Sequence, residues 1–101
     1  MLPPRREPPT DAMTAAEFRP RLNPHYVFRW EASQDAHILL YPEGLIKLNP
    51  AAAEILKRCD GERDAEAIVA DLAAAFPGQR DAIAADTRAF LAAAWSKGWL
   101  R

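Results

Sequence analysis

A chain of 101 residues, half of them hydrophobic and with a formal net charge of −1, has the size and balance of one small domain. So short a chain leaves little room for a deep substrate cavity beside its core, which argues against a stand-alone enzyme and toward a binding module. Its basic residues are interleaved with Asp and Glu rather than clustered, so no nucleic-acid surface is expected, and no apolar run approaches the ~20 residues of a membrane helix.

Five of the nine prolines precede Arg21, mixed with Arg, Glu, Thr and Asp. Residues 1–20 are therefore expected to be a disordered Pro-rich tail or linker, with "TAAEF" able to form one marginal helical turn. The opening "MLPPRREPPTDAM" lacks the apolar core of a signal peptide, and the lone Cys59 cannot close an intramolecular disulfide, so a cytoplasmic setting is expected. The folded domain is expected over residues 21–101.

From Tyr26, "YVFRWEA" alternates Tyr26, Phe28 and Trp30 on one face with Val27, Arg29 and Glu31 on the other, the pattern of a first strand. "SQD" offers turn chemistry, and the almost continuously apolar "AHILLY" reads as a second, central strand. Pro42-Glu43-Gly44 then suggests a three-residue hairpin with a bulge, Gly44 taking a left-handed conformation, and a third antiparallel strand over Leu45 to Leu48.

Asn49-Pro50 ends that strand and opens a helix, Asn as N-cap and Pro at the first helical position. Ala52, Ile55, Leu56 and Cys59 share one face of this first helix, and Gly61 sits where a left-handed C-terminal cap is expected. Asp64 caps a second helix with Ala65, Ile68, Val69, Leu72 and Phe76 as its apolar stripe, stopped by Pro77-Gly78. A third helix is expected from about Asp81 to Lys97, presenting Ile83, Thr87, Phe90, Leu91, Ala94 and Trp95, with Gly98 as terminator and Trp99-Leu100 folding back. The fold class is thus α+β: a three-stranded antiparallel meander followed by three helices.

Chemistry is sparse. His25 and His37 are far apart and read as structural, Cys59 reads as a small buried hydrophobe, and Asp64, Glu66 and Asp71 suit the positive end of the second helix. No CxxC or HxxxH spacing, phosphate loop or nucleophile elbow occurs, so no metal, cofactor or catalytic group is expected. Trp30, Trp95 and Trp99 read as core, with an aromatic platform as the alternative. The third strand is the exception: it is a sheet edge with a row of unpaired backbone groups, and Lys47 alone blunts it. Either a helix or the tail covers it, a second copy pairs with it, or it is a socket for a peptide strand.

Gln34 to Gly61, "QDAHILLYPEGLIKLNPAAAEILKRCDG", and Asp86 to Leu100, "DTRAFLAAAWSKGWL", resemble the PqqD family, peptide chaperones of pyrroloquinoline quinone (PQQ) biosynthesis. The resemblance spans Arg21 to Arg101 and leaves out the Pro-rich head. It implies a winged-helix-like RiPP recognition element that binds a ribosomally made precursor peptide as an added strand and catalyses nothing itself. On this chain it implies a strand side of Leu45, Ile46, Lys47 and Leu48, and a helix side of Thr87, Arg88, Leu91 and Trp95. The implied partners are the precursor peptide PqqA and the radical SAM enzyme PqqE. A winged-helix DNA-binding regulator is the alternative, but the third helix sets Asp81 and Asp86 against Arg80, Arg88 and Lys97, a poor recognition surface.

Overall fold

The computed structural model describes residues 18–101. Three strands, β1 (Val27–Glu31), β2 (Ala36–Tyr41) and β3 (Gly44–Lys47), form an antiparallel meander in the order β1-β2-β3. Helices α1 (Pro50–Leu56), α2 (Ala65–Ala75) and α3 (Arg80–Ser96) follow. β2 is central because it is apolar on both faces, and its Ile38 and Leu39 are fully buried.

The two strand connections differ in kind. Between β1 and β2 the chain makes a 3-10 turn over Ala32–Gln34 and reverses at Asp35, whose φ of 50° lies in the left-handed region that Asp tolerates. Between β2 and β3, Tyr41 pairs directly with Gly44, so Pro42 and Glu43 alone make the turn. The expected three-residue loop with a bulge is corrected: Gly44 enters the strand as its first paired residue, and it is not among the glycines with positive φ.

Local punctuation sets the helix starts. Asn49 Oδ1 accepts the Ala52 N–H at 2.7 Å with Pro50 at the first helical position, and Asp64 Oδ1 accepts the Ala67 N–H at 2.8 Å. α1 is shorter than its apolar spacing suggests. It ends at Leu56, tightened by i→i+3 bonds from the N–H groups of Arg58 and Cys59, so Cys59 lies beyond the helix. Gly61 does not cap it. Its φ of 82° instead lets the chain pass close to Arg21, where the Gly61 N–H donates to the Pro20 carbonyl. Phe76 leaves the expected stripe for a similar reason: α2 stops at Ala75, and Phe76 is 44% exposed.

One core joins the sheet to the helices: Leu39 and Leu48 meet Ile55, Leu56, Ile68, Leu72, Leu91 and Leu100. Each such side chain contributes about 1.5–3 kcal/mol by leaving water. Arg58 ties α1 to α2 by hydrogen-bonding both Glu54 and Asp71. The chain's end folds back as expected: Leu100 pairs with Leu22, Arg21 and Arg101 exchange two backbone bonds of 3.0 and 2.8 Å, and Arg21 also bridges Asp60. The expected tail lies outside the described residues except for Phe18 to Pro20; Phe18 packs edge-on against Trp95 with ring centroids 5.7 Å apart, and Pro20 is buried.

Candidate functional site

β3 bonds to β2 on one side, and among the described residues no strand lies on the other. Antiparallel partners alternate between pairs that exchange both backbone bonds and pairs that exchange none. The Leu48 N–H donates to the His37 carbonyl at 2.9 Å, and the register places Leu39 opposite Ile46 and Ile38 opposite Lys47. Gly44, Ile46 and Leu48 therefore spend their backbone groups on β2. Leu45 and Lys47 aim theirs at the free edge, two N–H donors and two carbonyl acceptors in a row.

Side chains alternate in the opposite sense. Ile46 and Leu48 turn into the core, half-buried and buried respectively, whereas Leu45 is 45% exposed and Lys47 is exposed. Leu45, Leu40 and Val27 line up across the three strands on that outer face, with Val27 52% exposed. The greasiness of "LIKL" thus has two destinations: one pair anchors the sheet and the other borders an open edge.

The helix-side residues are placed less uniformly. Thr87 and Leu91 are fully buried, Thr87 lining a groove between α1 and α3 and Leu91 packed in the core. Arg88 is exposed and sits 3.6 Å from Glu66 of α2. Trp95 is half-buried beneath Phe18. Arg88 and Trp95 therefore occupy the stripe of α3 that faces α2 and the N-terminal segment, and Thr87 the stripe that faces α1. Sequence reading passed over Glu54, Phe76 and Asp86 as groove residues; a solitary threonine among alanines and large apolar residues was the available signal.

The remaining candidates have structural surroundings. Burial, reinforced by the Asp60 charge, pushes the Cys59 thiol up to about 12, far from the thiolate that reactivity requires. Hydrogen bonds from Lys57 and Arg58 hold the Glu54 carboxyl below its ordinary value. His37 is sandwiched between Phe28, stacked at 5.1 Å, and Trp30, edge-on at 5.2 Å. Trp30 is 51% exposed, so the expected core role does not hold for it, whereas Trp95 and Trp99 pack against the core. Among the described residues no group of His, Cys, Asp and Glu is arranged to hold a metal ion, and no helix is long and apolar enough to cross a membrane.

Three antiparallel strands with a free edge, backed by three helices, define a class of small α+β recognition element. The solution structure of the PqqD part of Methylobacterium extorquens PqqCD, described as a functional, stand-alone RiPP recognition element, is similar with a TM-score of 0.71 at 28% identity, covering 88% of this chain and 97% of that one. The chain belongs to the PqqD family: residues 36–100 match the family model for coenzyme PQQ synthesis protein D. Proteins named PqqA binding protein are similar at 46% identity in Azotobacter vinelandii, covering 80% of this chain and 87% of the relative, and at 49% in Stutzerimonas stutzeri, covering 72% and 78%. The Pseudomonas aeruginosa protein of that name is 48% identical, covering 80% of this chain and 87% of its own length.

Proposed function

We propose that the chain is a peptide chaperone of PQQ biosynthesis, which binds the precursor peptide PqqA by strand addition on β3 and presents it to the radical SAM enzyme PqqE in the cytoplasm. The observation that carries this reading is the free edge of β3, where Leu45 and Lys47 direct four backbone groups outward in a chain whose relatives are named for binding PqqA. Main-chain bonds of this kind contribute ~1 kcal/mol each and tolerate sequence, so selectivity falls to flanking side chains. Leu45, Ile46, Lys47 and Leu48 supply the strand side. Thr87, Arg88, Leu91 and Trp95 of α3 supply the helix side, Thr87 from the wall of the groove between α1 and α3.

The role is holding, not bond-making. A flexible peptide kept beside the enzyme turns a bimolecular encounter into a local one and raises effective concentration without new catalytic groups. The outer face of the sheet, where exposed Val27 and Leu45 flank the half-buried Leu40, is our candidate for the contact with PqqE. Titrating isotope-labelled protein with PqqA peptide tests the site: amides of residues 45 to 48 and of the α1-facing side of α3 are expected to shift most. Shifts confined to α2 or to the N-terminal segment would overturn it.

A further inference from the structure

A groove of about 330 Å³ opens between α1, the end of α2 and the first half of α3. Pro50, which opens α1 three residues beyond Lys47, is part of its lining. Ile55, Leu72, Ile83 and the exposed Phe76 make its walls apolar.

Thr87 breaks this apolar lining. It is fully buried, and its Oγ1 has no hydrogen-bond partner among the described residues. A threonine within a helix ordinarily bonds back to the carbonyl four residues earlier. Here that bond to Ile83 is not made, so a residue of the groove wall holds a buried hydroxyl that is unsatisfied among the described residues. A buried hydroxyl without a partner is costly, and an occupant that supplies one recovers that cost. Two carboxylates line the groove: Glu54 is engaged by Lys57 and Arg58, while Asp86 has no ion pair among the described residues.

We propose that this groove seats one side chain of the bound peptide, apolar along its body and tipped by a hydroxyl, a phenol above all, with Thr87 Oγ1 as the group that selects the tip. A carboxylate tip meets the unpaired charge of Asp86. A long basic side chain keeps its head outside with Asp86, and a purely apolar one leaves Thr87 unpartnered. The occupant rests on the peptide-binding reading above; the chemistry of the groove does not.

Free p-cresol and toluene, two small probes differing by one hydroxyl, separate the two. With the full chain, p-cresol at millimolar concentration is expected to shift the signals of Ile55, Ile83 and Thr87, and toluene to bind about fivefold more weakly. Thr87→Val keeps the volume and removes the hydroxyl. It is expected to erase that preference, to leave the unfolding midpoint at or above that of the unsubstituted protein, and to weaken PqqA peptide binding by about fivefold. Ile83→Trp, which fills the groove, is expected to abolish binding of both probes. Equal affinity for the two probes, or a preference unchanged in Thr87→Val, overturns the proposal. If the probes behave as expected but the peptide binds both variants as well as the unsubstituted protein, the peptide is not the occupant and strand addition stands. If the peptide fails to bind the unsubstituted protein, the peptide-binding reading falls.

Discussion

Two extended stretches of this chain treat their backbone groups in opposite ways. Pro20 to Asn23 is bonded on both sides, to Gly61 by the Pro20 carbonyl and to Trp99 and Arg101 by the backbone of Arg21 and Asn23. β3 is bonded on one side, and among the described residues the outward groups of Leu45 and Lys47 have no partner. Neither stretch is long, and both run beside apolar side chains, so hydrophobicity does not separate them. What differs is the availability of a partner among the described residues. The first stretch meets two other segments and closes the molecule's ends; the second meets one, and the pairing it lacks is the pairing a peptide can supply.

Proline tests that asymmetry with the largest effects. At Ile46 it removes an N–H that bonds to β2, and the sheet is expected to lose ~3 kcal/mol or more, visible as a large drop in urea midpoint. At Lys47 it removes an N–H that faces outward, so the fold is expected to persist while PqqA affinity drops at least about tenfold in calorimetry. Trp30→Pro is the control on the other edge. The β1 register makes Phe28 and Trp30 the residues whose backbone groups face away from β2, so this substitution is expected to leave peptide affinity unchanged despite losing the ring contact with His37. If Lys47→Pro folds and binds like the parent, strand addition on β3 is wrong.

The closed side has its own titration. The Cys59 thiol, adjoining the Asp60 that bridges Arg21, is raised from an ordinary 9.0 to about 12 by burial and then by the Asp60 charge. A folded-state value above the unfolded one means that its contribution is fully present below pH 9 and is lost as pH rises toward 12. Stability is expected to fall by up to about 1.4 kcal/mol per pH unit in that window, and Cys59→Ala is expected to flatten the slope. Urea unfolding at a series of alkaline pH values measures it. A thiol reagent at neutral pH is expected to modify Cys59 only as fast as the protein opens.

How legible each region was follows from the distance over which it is specified. Asn49-Pro50, Asp64 and the stop at Pro77-Gly78 act through neighbouring residues, and the helices begin and end close to where those signals stand. β3 was legible as an edge because a three-stranded meander has two edges and Lys47 is a weak guard. The closure of Pro20 on Gly61 was not legible. It joins residues about 40 apart, and Gly61 in isolation reads as a helix cap. The groove was hidden for another reason: its walls come from the ends of helices, where apolar periodicity fails, and Phe76 looked like one more core residue until α2 stopped before it.

Gly61→Ala probes that closure directly. The glycine has a φ of 82°, and a methyl group there would sit 3.3 Å from Arg21 Cβ and Cδ, so both the backbone and the contact are strained. A loss of about 1–2 kcal/mol is expected in thermal or urea unfolding, with peptide affinity little changed because β3 is untouched. A matching loss of affinity would mean that the closed and open regions are coupled, and the contrast between them would have to be redrawn as one cooperative unit.

The smallest expected effect lies at Arg88. Its guanidinium stands 3.6 Å from Glu66, and the two side chains are 52% and 56% exposed, so the pair is screened by water. Arg88→Ala is expected to change stability by less than about 0.5 kcal/mol. Its effect on PqqA affinity reports how far the bound peptide reaches around α3. Arg88 stands beside the first turn of α2, and if the peptide reaches it, loss of a charge contact there is expected to weaken binding by about twofold to threefold, and more at low salt than at high salt. A salt-independent loss of tenfold or more would move the helix side of the site from the Thr87 stripe to the stripe of Arg88 and Trp95, and Thr87→Val measured beside it decides which stripe the peptide follows.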